Sequence, residues 1–308
     1  MKSPAFASAH GKIIIIGEHS VVYQYGAIVA PFTQALINVR IEEKAGEILI
    51  DSAYQNGLFF AKDAPIEGLQ TLLSSFLLKY NLPSKDLNIT ITSNMLSRRG
   101  IGSSAAVAKA FVEALFKFFE IAYTRNDLVE FIKISELVYH AKPSGIDMTA
   151  ILSDDLLWYQ AGKFVPIKPK FSFYVVVVDS GTASQTKLSV SQVKDRVDAH
   201  DPDVIAALAA LGDLAARARW ELENGNLASF AKLIRASQTH LTTIGVSTRE
   251  LEQLIDFSLE HGALAAKLTG GGQGGCMFAL FEEYNKCEKF VKIIKEQGVS
   301  HTWIMKID

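Results

Sequence analysis

The segment Arg98-Arg99-Gly100-Ile101-Gly102-Ser103-Ser104-Ala105-Ala106 runs straight into Val107-Ala108-Lys109-Ala110-Phe111-Val112-Glu113-Ala114-Leu115-Phe116. The second stretch has the apolar spacing of a helix, and the first places two glycines and two serines where that helix must begin. Glycine lacks a Cβ, so the backbone there can approach a ligand closely. The helix behind it turns its unpaired N–H groups and the positive end of its dipole toward the loop. An anion, nucleotide phosphate first of all, suits such a joint, and the two hydroxyls suit a phosphate or a metal ion. No Gly-Lys-Ser/Thr closes the loop, so it is not a Walker loop. Taken alone, a helix start with two capping serines has the same sequence.

The segments around it set the fold class. Residues 12–17, 28–41 and 47–52 read as strands, 67–80 as a helix ending before Pro83, and 88–93 as a half-buried strand. Thr124 and Asp127 form a capping box for a helix through Tyr139. A strand over 173–179 follows Pro166 and Pro169, where the domain boundary is expected. Helical patterns then cover 186–199, 203–224, 227–244 and 248–261, with Ser247 and Glu250 read as a capping box for the last. Strands over 265–268 and 276–281, a helix over 285–297 and a strand over 302–307 complete the chain. The expectation is an α+β protein of two domains, 1–170 and 171–308.

Three further segments carry chemistry-bearing residues. Lys267-Leu268-Thr269-Gly270-Gly271-Gly272-Gln273-Gly274-Gly275-Cys276 contains G-x-G-x-x-G, but a strand-like run follows it, so the dinucleotide reading fails. A loop passing close to a ligand and a long tight turn both remain open for it. In Lys142-Pro143-Ser144-Gly145-Ile146-Asp147 a turn can hold an aspartate rigidly, as a general base for a hydroxyl requires. Glu136, on the preceding helix, is a second carboxylate available to a magnesium site. Gly11-Lys12 and Gly17-Glu18-His19-Ser20 offer a cation for a transferring phosphoryl group and a hydrogen-bond donor for a substrate. Singly, each of these residues is more often structural.

Together and in this order, the four segments resemble the GHMP small-molecule kinases, across nearly the whole chain. The resemblance implies an N-terminal domain like ribosomal protein S5 domain 2 and a ferredoxin-like C-terminal domain, with ATP and substrate meeting in the cleft between them. It implies an enzyme using ATP and Mg2+ to phosphorylate a primary hydroxyl, that of mevalonate, to give 5-phosphomevalonate. Gly100, Ile101, Gly102, Ser103, Ser104, Ala105 and Ala106 match the ATP-phosphate loop, and Ser104 and Glu136 the magnesium ligands. Asp147 matches the catalytic base and Lys12 the lysine that steadies developing charge. His19, Glu18, Ser144, Gly145, Thr186 and Gly271 match substrate-pocket positions. The chain departs from the family pattern at Met95-Leu96-Ser97, which lacks a proline, at Gln24-Tyr25, at Lys142, and at Gly271, where alanine is common. A family member acting on phosphomevalonate or a sugar, and a non-catalytic nucleotide sensor, are the alternative readings.

Composition narrows the partners. A net charge of −2 gives no general reason to bind nucleic acid or an acidic membrane surface. Cys276 and Cys287 are too few for a disulfide framework or a zinc cluster. The start of the chain lacks a signal-peptide pattern, and no apolar run is long enough to span a bilayer. A cytoplasmic soluble protein is expected, its oligomeric state left open between monomer and homodimer.

Overall fold

Two long strands change their burial period part-way along, and that change organises the N-terminal half. In β1 (Ala5–Ile16) the side chains alternate between buried and exposed up to Ala9, then are almost continuously buried. β1 therefore starts seven residues before the strand expected from residue 12. The apolar run Ile13-Ile14-Ile15-Ile16 is covered on both faces, while the earlier part covers only one. A short 3-10 turn (Ser20–Tyr23) leads to β2 (Ala27–Glu43), which passes from continuous burial to alternation in the opposite order. This computed structural model describes residues 2–139 and 145–308.

Next come β3 (Leu49–Asp51), β4 (Asn56–Leu58), α1 (Glu67–Lys79), β5 (Leu87–Ser93), α2 (Ser103–Phe118), α3 (Arg125–Tyr139) and α4 (Ile146–Ala150). The chain folds into two compact units that interleave in sequence. The first comprises Met1–Gly11, Ala35–Leu96 and Gly102–Leu152; the second comprises Lys12–Gln34, Ser97–Ile101 and Ser153–Asp308.

In the first unit, β5 pairs antiparallel with β2 over Ile37 to Glu43, β3 lies parallel to β5, and β4 closes a hairpin on β3. Helices α1, α2 and α3 pack together through aromatic rings: Phe76 lies 5.0 Å from Phe116 and 5.2 Å from Phe131, centroid to centroid. Fully buried rings of this kind contribute roughly 1.5–3 kcal/mol each by leaving water. The Thr124 box forms as expected: Asp127 Oδ2 accepts from Thr124 N at 2.8 Å, and Asp127 N donates to Thr124 Oγ1 at 3.3 Å.

The second unit adds β6 (Leu157–Gln160), β7 (Lys163–Pro166), β8 (Phe173–Asp179), α5 (Thr186–Asp198), α6 (Pro202–Asn224), α7 (Leu227–Thr243), α8 (Arg249–Glu260), β9 (Ala265–Thr269), β10 (Cys276–Phe281), α9 (Tyr284–Lys295) and β11 (Thr302–Ile307). The hairpin β6–β7 was not expected from sequence; it pairs with the first residues of β2. The other four strands form an antiparallel sheet in the order β11-β8-β10-β9. With helices between β8 and β9 and α9 between β10 and β11, this is the split β-α-β ferredoxin-like arrangement. The fold is the expected α+β type.

One cap is shifted by a residue. The helix start assigned to Ser247 is capped by Thr248, whose hydroxyl accepts from Leu251 N at 3.4 Å. Ser247 Oγ instead accepts from Gln238 Nε2 at 3.1 Å. Among the described residues no helix is long and apolar enough to cross a membrane.

Candidate functional site

The glycine-hydroxyl loop is shared between the units, residues 97–101 belonging to the second and the segment from Gly102 to the first. In the first unit Gly102 sits at φ +78°, the left-handed conformation glycine favours, and is the N-cap of α2. Ala106 N donates to Gly102 O at 3.1 Å, closing the first helical turn. Neither serine caps the helix. Ser104 Oγ donates to Glu136 Oε1 across to α3 at 2.5 Å. Among the described residues no side chain caps the first turn of α2, and the plain capping account of these serines does not hold.

Ser104 and Glu136 make a hydroxyl-and-carboxylate donor set. Mg2+ takes hard oxygen ligands and is usually held by one or two protein groups with substrate phosphates and water completing the shell. Among the described residues no group of three or more His, Cys, Asp or Glu forms a protein cage for a metal. This pair fits a magnesium ion that shares its coordination with phosphate. Asp147 lies in the first turn of α4, whose N-cap, Gly145, stands at φ +77°. α4 packs on both α2 and α3. Ser144, together with Lys142 and Pro143, lies outside the described residues.

In the second unit every carbonyl from residue 98 to 101 is engaged. Arg98 O accepts from Ser184 N at 2.7 Å and Arg99 O from Cys276 N at 3.2 Å. Gly100 O accepts from Lys12 Nζ at 3.2 Å, and Ile101 O from Lys12 N at 2.9 Å. Lys12, which is buried, thus grips the loop with both its side chain and its backbone. With the carbonyls directed into the protein, the amides of this segment are available to an anion.

The second glycine run lies between β9 and β10, with no helix after it, as the sequence implied. Gly271 O is a shared acceptor: His19 Nε2 lies 3.0 Å away and Ser189 Oγ 2.8 Å. A carbonyl only accepts, so His19 carries its proton on Nε2. Burial lowers the His19 pKa to about 4, with Lys267 adding to the depression while the Gly271 bond opposes it. The imidazole is neutral at pH 7. His19 also holds φ +59°, a strained value for a residue with a Cβ. Thr186, the first residue of α5, packs against Gly271: a Cβ built there would stand 2.5 Å from Thr186 Oγ1. Gly271 is what makes room for that threonine.

Glu18 is fully buried, and its carboxylate is paired with the equally buried Lys267. Lys267 Nζ donates to Glu18 Oε1 and to Leu268 O, the latter at 2.5 Å. Burial raises the Glu18 pKa and lowers that of Lys267, with their mutual attraction opposing both. Beside them Thr269 Oγ1 accepts from Ile14 N and donates to Ile14 O, each at 3.0 Å, fastening β9 to β1. Sequence reasoning missed Lys267, although a lone charge in the apolar strand Ala265–Thr269 was a usable signal. It also missed Arg99 and Asp179, which form an ion pair at 2.6 Å and are 80 positions apart with no motif linking them.

The family described as GHMP kinases N terminal domain matches residues 69–154, and GHMP kinases C terminal matches residues 218–300. A mevalonate kinase from Pyrococcus horikoshii is 31% identical over 294 residues, covering 89% of this chain and 88% of that protein. The crystal structure of L. major mevalonate kinase in complex with R-mevalonate matches with a TM-score of 0.85 at 27% identity, covering 100% of this chain and 99% of that one. The mevalonate kinase from methicillin-resistant Staphylococcus aureus MRSA252 matches with a TM-score of 0.74 at 30% identity, covering 99% of both chains.

Proposed function

The chain belongs to the GHMP kinase family, and on that footing we propose that it transfers the γ-phosphoryl group of ATP to the primary hydroxyl of mevalonate. The products are 5-phosphomevalonate and ADP. The observation that carries the reading is the likeness to mevalonate kinases along nearly the whole chain, in sequence and in fold. The fixed carbonyls of residues 98–101 and the Ser104–Glu136 pair support the phosphotransfer half of it.

The roles follow from charge and geometry. Phosphoryl transfer needs little covalent help from a protein; it needs reactants aligned and the developing charge neutralised. The amides of residues 99–101 and of the first turn of α2 bind the phosphate oxygens, along with the remainder of the loop, Ser103, Ala105 and Ala106. Lys12 adds a positive charge beside the transferring group. Ser104 and Glu136 would hold Mg2+, which would supply positive charge to offset that of the phosphates. Asp147 accepts the proton of the attacking hydroxyl as transfer proceeds. The family resemblance gives acceptor-pocket roles to His19, Glu18, Ser144, Gly145, Thr186 and Gly271, and the Glu18 carboxylate is held by its pairing with Lys267.

The same reading assigns residues 1–170 to an N-terminal kinase domain and 171–308 to a C-terminal one. The two family matches fall on either side of residue 170. A cytoplasmic location, where ATP is supplied, belongs to the proposal too.

Asp147→Asn tests the catalytic assignment. The substitution keeps size and polarity but removes the base, so kcat with mevalonate should fall on the order of 10²–10⁴-fold while ATP still binds. A wild type that binds ATP and never turns over, at a rate equal to the variant's, would instead identify a nucleotide sensor.

A further inference from the structure

The phosphate loop is held from one side by a single rung of the ferredoxin-like sheet. In the ladder between β8 and β10, Asp179 and Cys276 are register partners. Cys276 N donates to Arg99 O at 3.2 Å, and Arg99 Nε approaches Asp179 Oδ1 at 2.6 Å. Arg99 is thus gripped twice by neighbouring residues of the sheet, once through its backbone and once through its guanidinium. A third contact, Arg99 Nη2 to Gly181 O at 3.4 Å, extends the hold into the loop after β8. The Asp179 carboxylate is almost wholly buried and the Arg99 side chain 16% exposed. The approach is ion pairing more than a well-aligned hydrogen bond, since neither Arg99 Nε nor Asp179 Oδ1 has a partner at good hydrogen-bond angles.

The same contacts explain the shape of the segment. Arg98 stands at φ +56°, a left-handed value that costs a residue with a Cβ and persists only where its surroundings fix it. Its carbonyl is taken by Ser184 N at 2.7 Å. Among the described residues, no protein group accepts a hydrogen bond from the amides of Arg99, Gly100 or Ile101. Holding three neighbouring amides free and oriented demands that the opposite edge of the backbone be tied down. Beside the Lys12 ammonium on Gly100 O, the Arg99–Asp179 pair supplies a charged tie from within the segment itself. An arginine placed among phosphates would be expected to reach for them directly; here its charge is already matched by a buried carboxylate, which leaves the backbone to contact the anion.

We infer that Arg99 and Asp179 are a positioning pair for ATP: they fix the phosphate-binding amides of residues 99–101 without themselves touching the acceptor. The inference rests on the kinase reading for its ligand, but it can be measured by ATP binding alone. A small displacement of such a loop costs on the order of 10²-fold in rate.

The test uses the full-length protein with Arg99→Ala, Asp179→Ala, the double variant, and the milder Arg99→Lys. ATP affinity is measured by titration, and KM is measured separately for ATP and for mevalonate. Each alanine variant should weaken ATP binding by about tenfold or more, an effect of the size seen when groups that orient a site are removed. The KM for mevalonate should stay within about twofold of wild type, since the pair touches only the loop. The double variant should be no weaker than the worse single one, and Arg99→Lys should recover part of the affinity because it keeps the charge. Unchanged ATP affinity in the single variants would overturn the inference. So would multiplicative losses in the double variant, or parallel rises in both KM values. Should the alanine variants fail to fold, Arg99→Lys decides: it must lose ATP affinity selectively, and an affinity equal to wild type overturns the pair's role. If the wild type binds ATP but leaves mevalonate untouched, the substrate reading fails while the ATP titrations still judge the pair.

Discussion

Gly270 lies against Gly100 so closely that a Cβ on Gly270 would stand 2.7 Å from Gly100 O. The two glycine segments, 170 positions apart in sequence, therefore fit together backbone to backbone, and Gly270 also holds φ +82°. Gly270→Ala is expected to cost about 1–3 kcal/mol from backbone strain alone, and to weaken ATP binding by displacing Gly100. Gly262, at φ +91° with open space around it, is the control. Gly262→Ala should lose a comparable amount of stability and no ATP affinity. Equal ATP affinities for the two variants would refute a packing role for Gly270.

The Gly271–Thr186 contact gives a coupled pair. A Cβ at position 271 meets Thr186 Oγ1 at 2.5 Å, Cγ2 at 2.7 Å and Cβ at 2.8 Å, so rotating the threonine does not remove the clash. Gly271→Ala should lower kcat/KM for the acceptor, and adding Thr186→Ala should restore much of it. Overpacking of this kind typically costs about 1–3 kcal/mol. Additive losses in the double variant would show that the two positions do not compete for space.

How much of this was legible in the sequence depends on distance along the chain. The loop-to-helix joint at Gly100, the Thr124–Asp127 box and the strand after the second glycine run are local patterns, and each appears where the residues indicated. Ser247 fits a cap in sequence, but its hydroxyl is engaged by Gln238, which only the packed helices reveal. The hairpin β6–β7 escaped notice because its two strands are four residues each and owe their stability to β2, more than a hundred positions away. Arg99 looks like an ordinary surface charge in sequence and Lys267 is marked only by the apolar strand around it; folding brings each to a carboxylate that no spacing rule connects with it.

His19 gives the protein a dependence on pH. Its folded pKa of about 4 lies below the ordinary value of 6.5, so between these values the unfolded chain binds more protons than the folded one. The stabilising contribution is complete above pH 6.5 and is lost as pH falls toward 4. The slope is at most about 1.4 kcal/mol per pH unit. Urea midpoints measured across this window should fall more steeply for wild type than for His19→Gln, which keeps a donor for Gly271 O but does not titrate. Indistinguishable slopes would show that the imidazole is not held neutral.

The Ser104–Glu136 pair should set the demand for magnesium. Removing the hydroxyl with Ser104→Ala or the negative charge with Glu136→Gln should raise the Mg2+ concentration for half-maximal rate by about tenfold or more, a typical loss when a metal's surroundings are disturbed. Saturating Mg2+ should recover part of the rate. Magnesium titration of initial rates checks this, and a midpoint unchanged in both variants would remove the pair from the metal site.

The most direct measurement is product identification with the wild-type chain. Purified protein is incubated with ATP, Mg2+ and an equimolar mixture of mevalonate, phosphomevalonate and galactose, and products are followed by phosphorus NMR alongside ADP release. The expected result is one new phosphate monoester, 5-phosphomevalonate, formed in equal amount to ADP, with the other two acceptors unchanged. Preferential phosphorylation of phosphomevalonate or galactose, or no ADP above background, would contradict it.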